Sequence, residues 1–103
     1  MAFTGNEAEQ IPLPLACSWT ANFRKDCPNQ TKAHFFGKVI LQAILNQEGC
    51  VGIRAYNAID DDGKRQLVLV GVDATEKDMV TGIIAERSIP CPPFCDTTSP
   101  LNN

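Results

Sequence analysis

Apolar residues recur first with a helical period. Leu15, Trp19 and Phe23 stand four apart with Ala16 beside them, while Ser18, Asn22 and Lys25 fall off that stripe. This spacing puts the large side chains on one face and predicts a helix over about 15–25. Pro14 suits its first turn, where a missing N–H costs nothing, and Pro28 bars its continuation. A second helix is expected over about 38–47. Phe36, Ile40 and Ile44 make one row, Leu41 and Leu45 a second, and Val39 and Ala43 a third, so the helix should be covered on most sides. Gly49, just past its end, fits a left-handed helix terminus.

The period then changes. The run "CVGIRAYNAI", the turn "DDDGKR" and the run "QLVLVGV" predict a central hairpin with strands at about 51–59 and 66–72. In the first strand Val51, Ile53, Ala55 and Ile59 share a face, and Arg54 and Tyr56 share the other. The second strand is apolar on both faces, so it should be central or covered twice. Asp62-Gly63 suits the positive φ values of a hairpin turn. Asp73 and Glu76 have the spacing of a capping box, but Thr81, Gly82 and Ile83 favour a turn near 73–78 and a third strand over about 80–86. The fold class expected is α+β: two helices packed on a small antiparallel sheet, with an extended Pro/Cys-rich strap at the C-terminus. Residues 1–10 read as a loose polar arm, 11–88 as the core and 89–103 as the strap of a single domain.

Composition narrows the function. The chain has 103 residues, 44% of them hydrophobic, which suffices for one core and not for two domains. Its net charge is -3, from 9 basic and 12 acidic residues with no Lys/Arg run, so the basic footprint of a nucleic-acid partner is missing. Apolar runs such as 67–72 are too short to span a bilayer, and the first residues lack the basic and apolar regions of an export signal. A soluble cytoplasmic protein is expected, with no membrane insertion.

The candidate chemistry is sparse. Asp60-Asp61-Asp62-Gly63 lacks the alternating carboxylates and the later Glu of a calcium loop; the residue six after Gly63 is Leu69. His34 is the only histidine. No nucleophile elbow and no phosphate-cradling glycine loop occurs. An enzyme centred on Arg54, Tyr56 and Asp60 is therefore a weaker reading than a non-catalytic protein. Arg54 and Tyr56, side by side on an outward strand face, suit a partner contact, since both residue types are favoured at binding hot spots. Phe94 is the third partner-contact candidate, as an anchor of the strap beside Ile89 and Leu101.

Five cysteines are present: Cys17, Cys27, Cys50, Cys91 and Cys95. The odd count and adequate core favour reduced, packed thiols over a disulfide scaffold. The spacing of "CPPFC" falls within the two to four residues that separate paired zinc ligands, with the other two ligands to come from Cys27, Cys50, Cys17 and His34. Its two prolines favour an extended path, whereas a disulfide needs Cα atoms within about 7 Å. Free thiols without a cofactor are the leading expectation, and a Cys91–Cys95 disulfide or a zinc site are the alternatives.

The segment "GIRAYNAIDDDGKRQLVLVGVDA", the later "DM" and the end "PCPPFCDTTSPLN" resemble a set of small bacterial proteins. These combine a G-[IV]-R-x-Y strand, an acidic hairpin, an L-V-x-V-G-V-D strand and a Cys-Pro-Pro-x-Cys end; the upstream Trp19–Arg24 also fits their W-x-x-x-[FY]-R helix. The resemblance covers most of the chain and implies a bacterial, soluble origin without an assigned activity. The expected function is a protein-binding or self-assembly module, since a three-stranded sheet leaves open edges that a second copy or another protein can complete. The alternative is a thiol-redox or structural metal-binding protein that uses the C-terminal cysteine pair.

Overall fold

The computed structural model describes residues 2–102. In chain order the elements are α1 (Leu13–Asp26), β1 (Ala33–Phe35), α2 (Lys38–Leu45), β2 (Cys50–Ile59), β3 (Arg65–Asp73), β4 (Ile84–Ala85) and β5 (Ile89–Cys91). The strands form two antiparallel sheets, β2-β3-β4 and β1-β5. The architecture is the α+β class expected from the pattern.

β3 is central, as its two apolar faces require. Across β2 the register pairs Ile53 with Gly71, Ala55 with Leu69 and Asn57 with Leu67, with a bulge near Cys50. One sheet face, carrying Ile53, Leu69 and Ala85, packs against α2. Ile44 is 0% exposed there and joins Leu69 and Ala85 in the buried core, ringed by Phe36, Ile40, Leu41, Cys50, Ile53 and Ile83. The opposite face buries Val70 and Val72. The N-terminal residues close part of it: the Phe3 N–H donates to the Ala74 carbonyl at 3.0 Å, and the Arg54 guanidinium lies 5.7 Å from the Phe3 ring centroid. Within the expected arm, the Glu7 carboxylate accepts from the Thr4 and Gly5 N–H groups, and Phe3, Gly5, Glu7 and Ala8 line a hollow with Val51 to Arg54; Met1 lies outside the described residues.

The third strand also departs from its expected 80–86. Val72 bridges Asp78, and strand pairing resumes only at Ile84 opposite Val70. Residues 79–83 bulge out opposite Gly71 alone, in a turn closed by Gly82 N–H to Met79 O. The α2 terminus fills that gap. Gln47 Oε1 accepts from the Ile83 N–H at 2.8 Å, and Nε2 donates to the Ile44 carbonyl at 2.9 Å.

The two acidic turns share one construction. Asp60 and Lys64 close the hairpin loop, with the Asp60 N–H donating to Lys64 O, Asp60 Oδ1 accepting from the Asp62 and Lys64 N–H groups, and Gly63 at φ +80°. Only Gly63 of the Asp62-Gly63 pair has positive φ, as in a type I turn followed by a left-handed residue. Asp73 to Lys77 repeats these bonds, but the left-handed residue is Glu76 at φ +71°. A non-glycine residue there carries a steric cost that glycine avoids. Glu76→Gly is expected to raise unfolding stability by about 0.5–1 kcal/mol in urea melts, the net of that relief and glycine's larger chain entropy. Glu76→Ala, which keeps the steric cost, should show no gain.

Candidate functional site

α1 forms as its stripe predicts, with Pro12 and Pro14 at its start and Arg24 and Lys25 in its last turn, where cations favour the helix dipole. No residue of α1 is buried, however. α2 covers the Ile53, Leu69 and Ala85 part of the sheet face. The α1 stripe instead turns toward the C-terminal strap. Trp19, Phe23, Phe94 and Leu101 line a groove of about 520 Å³ with Cys91 and Cys95 at one side. Trp19 is 57% and Phe94 70% exposed. The tail is held over this groove by Arg24, whose Nη1 donates to the Leu101 carbonyl, and by Lys32, whose Nζ donates to Asn102 Oδ1 at 3.2 Å.

The strap differs from its expected form. Its beginning pairs with β1 as β5, and Lys32 N–H donates to Cys91 O at 2.7 Å. Cys91 is its buried point, whereas Ile89, Phe94 and Leu101, expected as anchors, are exposed. Cys91 and Cys95 are joined in a disulfide with Cα atoms 4.8 Å apart, which corrects the expectation of free thiols for this pair. The chain between them turns rather than extends: the Phe94 N–H donates to Pro90 O at 3.0 Å and the Cys95 N–H to Pro93 O at 3.1 Å. Both peptide bonds leading into Pro92 and Pro93 are cis. Cys17, Cys27 and Cys50 are free thiols, and Cys50 Sγ donates to the Gly52 carbonyl at 3.2 Å. Among the described residues, no three His, Cys, Asp or Glu side chains are grouped as metal ligands, so Cys27 and Cys50 do not complete a set with Cys91 and Cys95.

Arg54 and Tyr56 do share the outward face, and the structure supplies a partner that sequence reasoning missed. Both donate to the Asp78 carboxylate, Arg54 through Nη1 to Oδ1 and Tyr56 through its hydroxyl to Oδ2. Its hydrogen bonding with the oxygens of Tyr56 and Asp78 raises the Arg54 pKa above its ordinary value. The pairing of Val72 with Asp78 brings this carboxylate across β3, a register the mixed pattern after Val72 did not reveal. Arg54, Tyr56 and Asp78 thus tie β2 to the segment after β3, over Val70 and Val72, on a face separate from the Phe94 groove. Asp60, the third member of the weaker enzyme reading, is instead spent in the hairpin. The Gln66 amide first, then the Lys64 and Asp62 N–H groups, hold its pKa below the ordinary value.

His34 sits half-buried in β1 with Nδ1 3.2 Å from Ser88 Oγ, and burial lowers its pKa against a weaker opposing effect of Glu86. No helix among the described residues is long and apolar enough to cross a membrane. The chain matches no family model, no curated protein and no solved structure.

Proposed function

We propose that the protein is a non-catalytic self-assembly module whose exposed α1–strap face is covered by a second copy of the chain. The observation that carries this reading is surface area. The chain exposes 7655 Å², against roughly 5,700 Å² expected for a compact 11.2 kDa protein. Its radius of gyration is 15.2 Å, against about 13 Å for a compact chain of this length. The excess of about 2,000 Å² exceeds the roughly 800 Å² per partner that a standard interface buries. The excess has a location, since α1 buries none of its residues and its Trp19 faces the same groove as Phe94. In a twofold pair the same patch serves both chains, and Trp19 and Phe94 of each copy would fill the groove of the other. Aromatic anchors of this kind dominate interface energetics.

Sedimentation equilibrium across low to high micromolar concentration should give twice the 11.2 kDa chain mass. Trp19→Glu and Phe94→Glu, each placing a charge in the interface, should return the mass to that of one chain without changing the circular dichroism spectrum. A wild-type protein that sediments as one chain throughout this range sinks the proposal, as does a dimer that survives both charges.

The Cys91–Cys95 bond favours a second reading, a thiol–disulfide couple. In the cytoplasm expected from the sequence, protein thiols are kept reduced and disulfides are usually transient, catalytic or sensing. Closing the bond takes two electrons and two protons from the thiols and delivers them to an acceptor disulfide, which leaves as two thiols. Alkylation of the native protein should label three cysteines, Cys17, Cys27 and Cys50, and five after reduction. Five labelled cysteines in protein isolated under thiol-trapping conditions, whatever oxidant is added, would remove this reading.

A further inference from the structure

The sheet face that packs on α2 continues past it toward the hairpin, where no helix lies on it. There Asn57 pairs with Leu67 and Ile59 with Arg65, so these four side chains share the face. Phe23 from α1 and His34 from β1 stand opposite, and the gap between the two parts of the molecule is a cleft of about 580 Å³. Its chemistry is unlike that of the whole chain. Of 12 acidic residues in a protein of net charge -3, none lines the cleft, whereas Lys32, Arg65 and His34 do.

Its hydrogen-bonding groups are incompletely used. Arg65 spends Nε on Gln30 Oε1 at 3.1 Å and holds its guanidinium 6.0 Å from the Phe23 ring centroid. Its two terminal nitrogens have no partner among the described residues, nor does the Asn57 amide. His34 meets Ser88 through Nδ1, which leaves Nε2 for the cleft. Phe23 and Leu67 supply apolar surface beside these donors. A mostly apolar concave site with a few convergent polar groups is the usual form of a small-molecule pocket, and a guanidinium with free terminal nitrogens matches the geometry of a carboxylate or phosphate.

We propose that this cleft binds a small aromatic anion, with the ring against Phe23 and Leu67 and the charge on Arg65, supported by Asn57 and His34. Phe23 and Lys32 also border the Trp19–Phe94 groove, but Arg65, His34, Asn57 and Leu67 do not, so the cleft is tested in the Trp19→Glu protein as well as in the wild type.

Phenyl phosphate is the probe, with benzoate and inorganic phosphate as comparisons, at constant pH and ionic strength. His34 is the only histidine, so its imidazole resonances report on the cleft without assignment of the whole spectrum. Phenyl phosphate and benzoate should shift them saturably, and inorganic phosphate at least tenfold more weakly because it lacks the ring. Arg65→Gln should weaken phenyl phosphate about tenfold or more, the scale of one lost charge-assisted hydrogen bond. Asn57→Leu should weaken it less. Absence of a saturable shift with either aromatic probe overturns the proposal. So does equal affinity in a folded Arg65→Gln protein, or equal affinity for inorganic phosphate, which would mark a simple anion site without recognition of the ring.

Discussion

Ile44→Ala is expected to remove about 2–5 kcal/mol of unfolding free energy, read as a fall in the urea midpoint at constant slope. Ile44 is 0% exposed, and a truncated side chain there leaves a cavity that Leu69, Ala85 and the surrounding partly buried residues cannot fully close. The loss weighs heavily in this chain. The core holds few buried apolar residues, only Ile44, Leu69, Val70, Val72, Ala85 and Cys91 among those described, and small domains have only about 5–15 kcal/mol in total. Each kcal/mol shifts the melting temperature by about 4–8 °C at this size, so a drop of about 8 °C or more should be seen. Leu45→Ala on the same helix provides the contrast. Leu45 is 47% exposed, and its truncation should cost less than about 1 kcal/mol. Equal effects at the two positions would mean that the core is not where the structure places it.

That contrast also marks what was legible in the sequence. Period gave α1, α2 and the β2–β3 hairpin because each is specified locally, by spacing, proline and turn residues. It also put Leu69 and Val70 in a strand covered on both faces. What it could not rank was how far each apolar row is covered. Leu15 and Trp19 make as regular a stripe as Ile40 and Ile44, yet only the second meets the sheet, because the choice between two amphipathic helices for one face is made by tertiary packing. The pairing of β1 with β5 was invisible for a related reason. Three residues on each side carry almost no period, and 54 residues separate His34 from Ser88. In the candidate site, Phe94, an expected anchor of the strap, lies exposed on the groove, whereas the stripe spacing does not tell that Trp19 faces the strap, nor the turn after β3 that Asp78 meets Arg54. The cleft at Arg65 and His34 is assembled from α1, β1 and the hairpin, and no local pattern records that meeting. The disulfide ranks below free thiols in the sequence because adjacent prolines favour an extended path, while the hydrogen bonds to Pro90 and Pro93 fold the chain back.

Gln47 is where one polar side chain joins three parts of the fold, and a double-mutant cycle with Gly82 should show that coupling with a change of sign. Its Oε1 accepts the Ile83 N–H exposed by the bulge in the third strand, and its Nε2 donates to the last turn of α2. Gln47→Ala leaves both backbone groups without these partners and is expected to cost about 1–3 kcal/mol. Gly71 and Gly82 leave room for this side chain, Gly71 also for Cys50 Sγ and Ile44 Cγ2. A Cβ at Gly71 would come 2.8 Å from Gln47 Nε2, and one at Gly82 would run into Gln47 Oε1. Neither glycine has a positive φ, so space rather than backbone conformation excludes alanine. In the wild-type chain Gly82→Ala should therefore displace Gln47 and destabilise by about 1–3 kcal/mol. With Gln47 already replaced by alanine, the obstruction is gone and the next nearest atom, the Met79 carbonyl oxygen, lies at 3.4 Å, an ordinary contact. The same Gly82→Ala change should then be neutral or stabilising by up to about 1 kcal/mol, because it restricts the unfolded chain. Urea melts of the four proteins measure the interaction energy directly. Additive costs would show that Gln47 does not fill the bulge and that Gly82 is required for another reason.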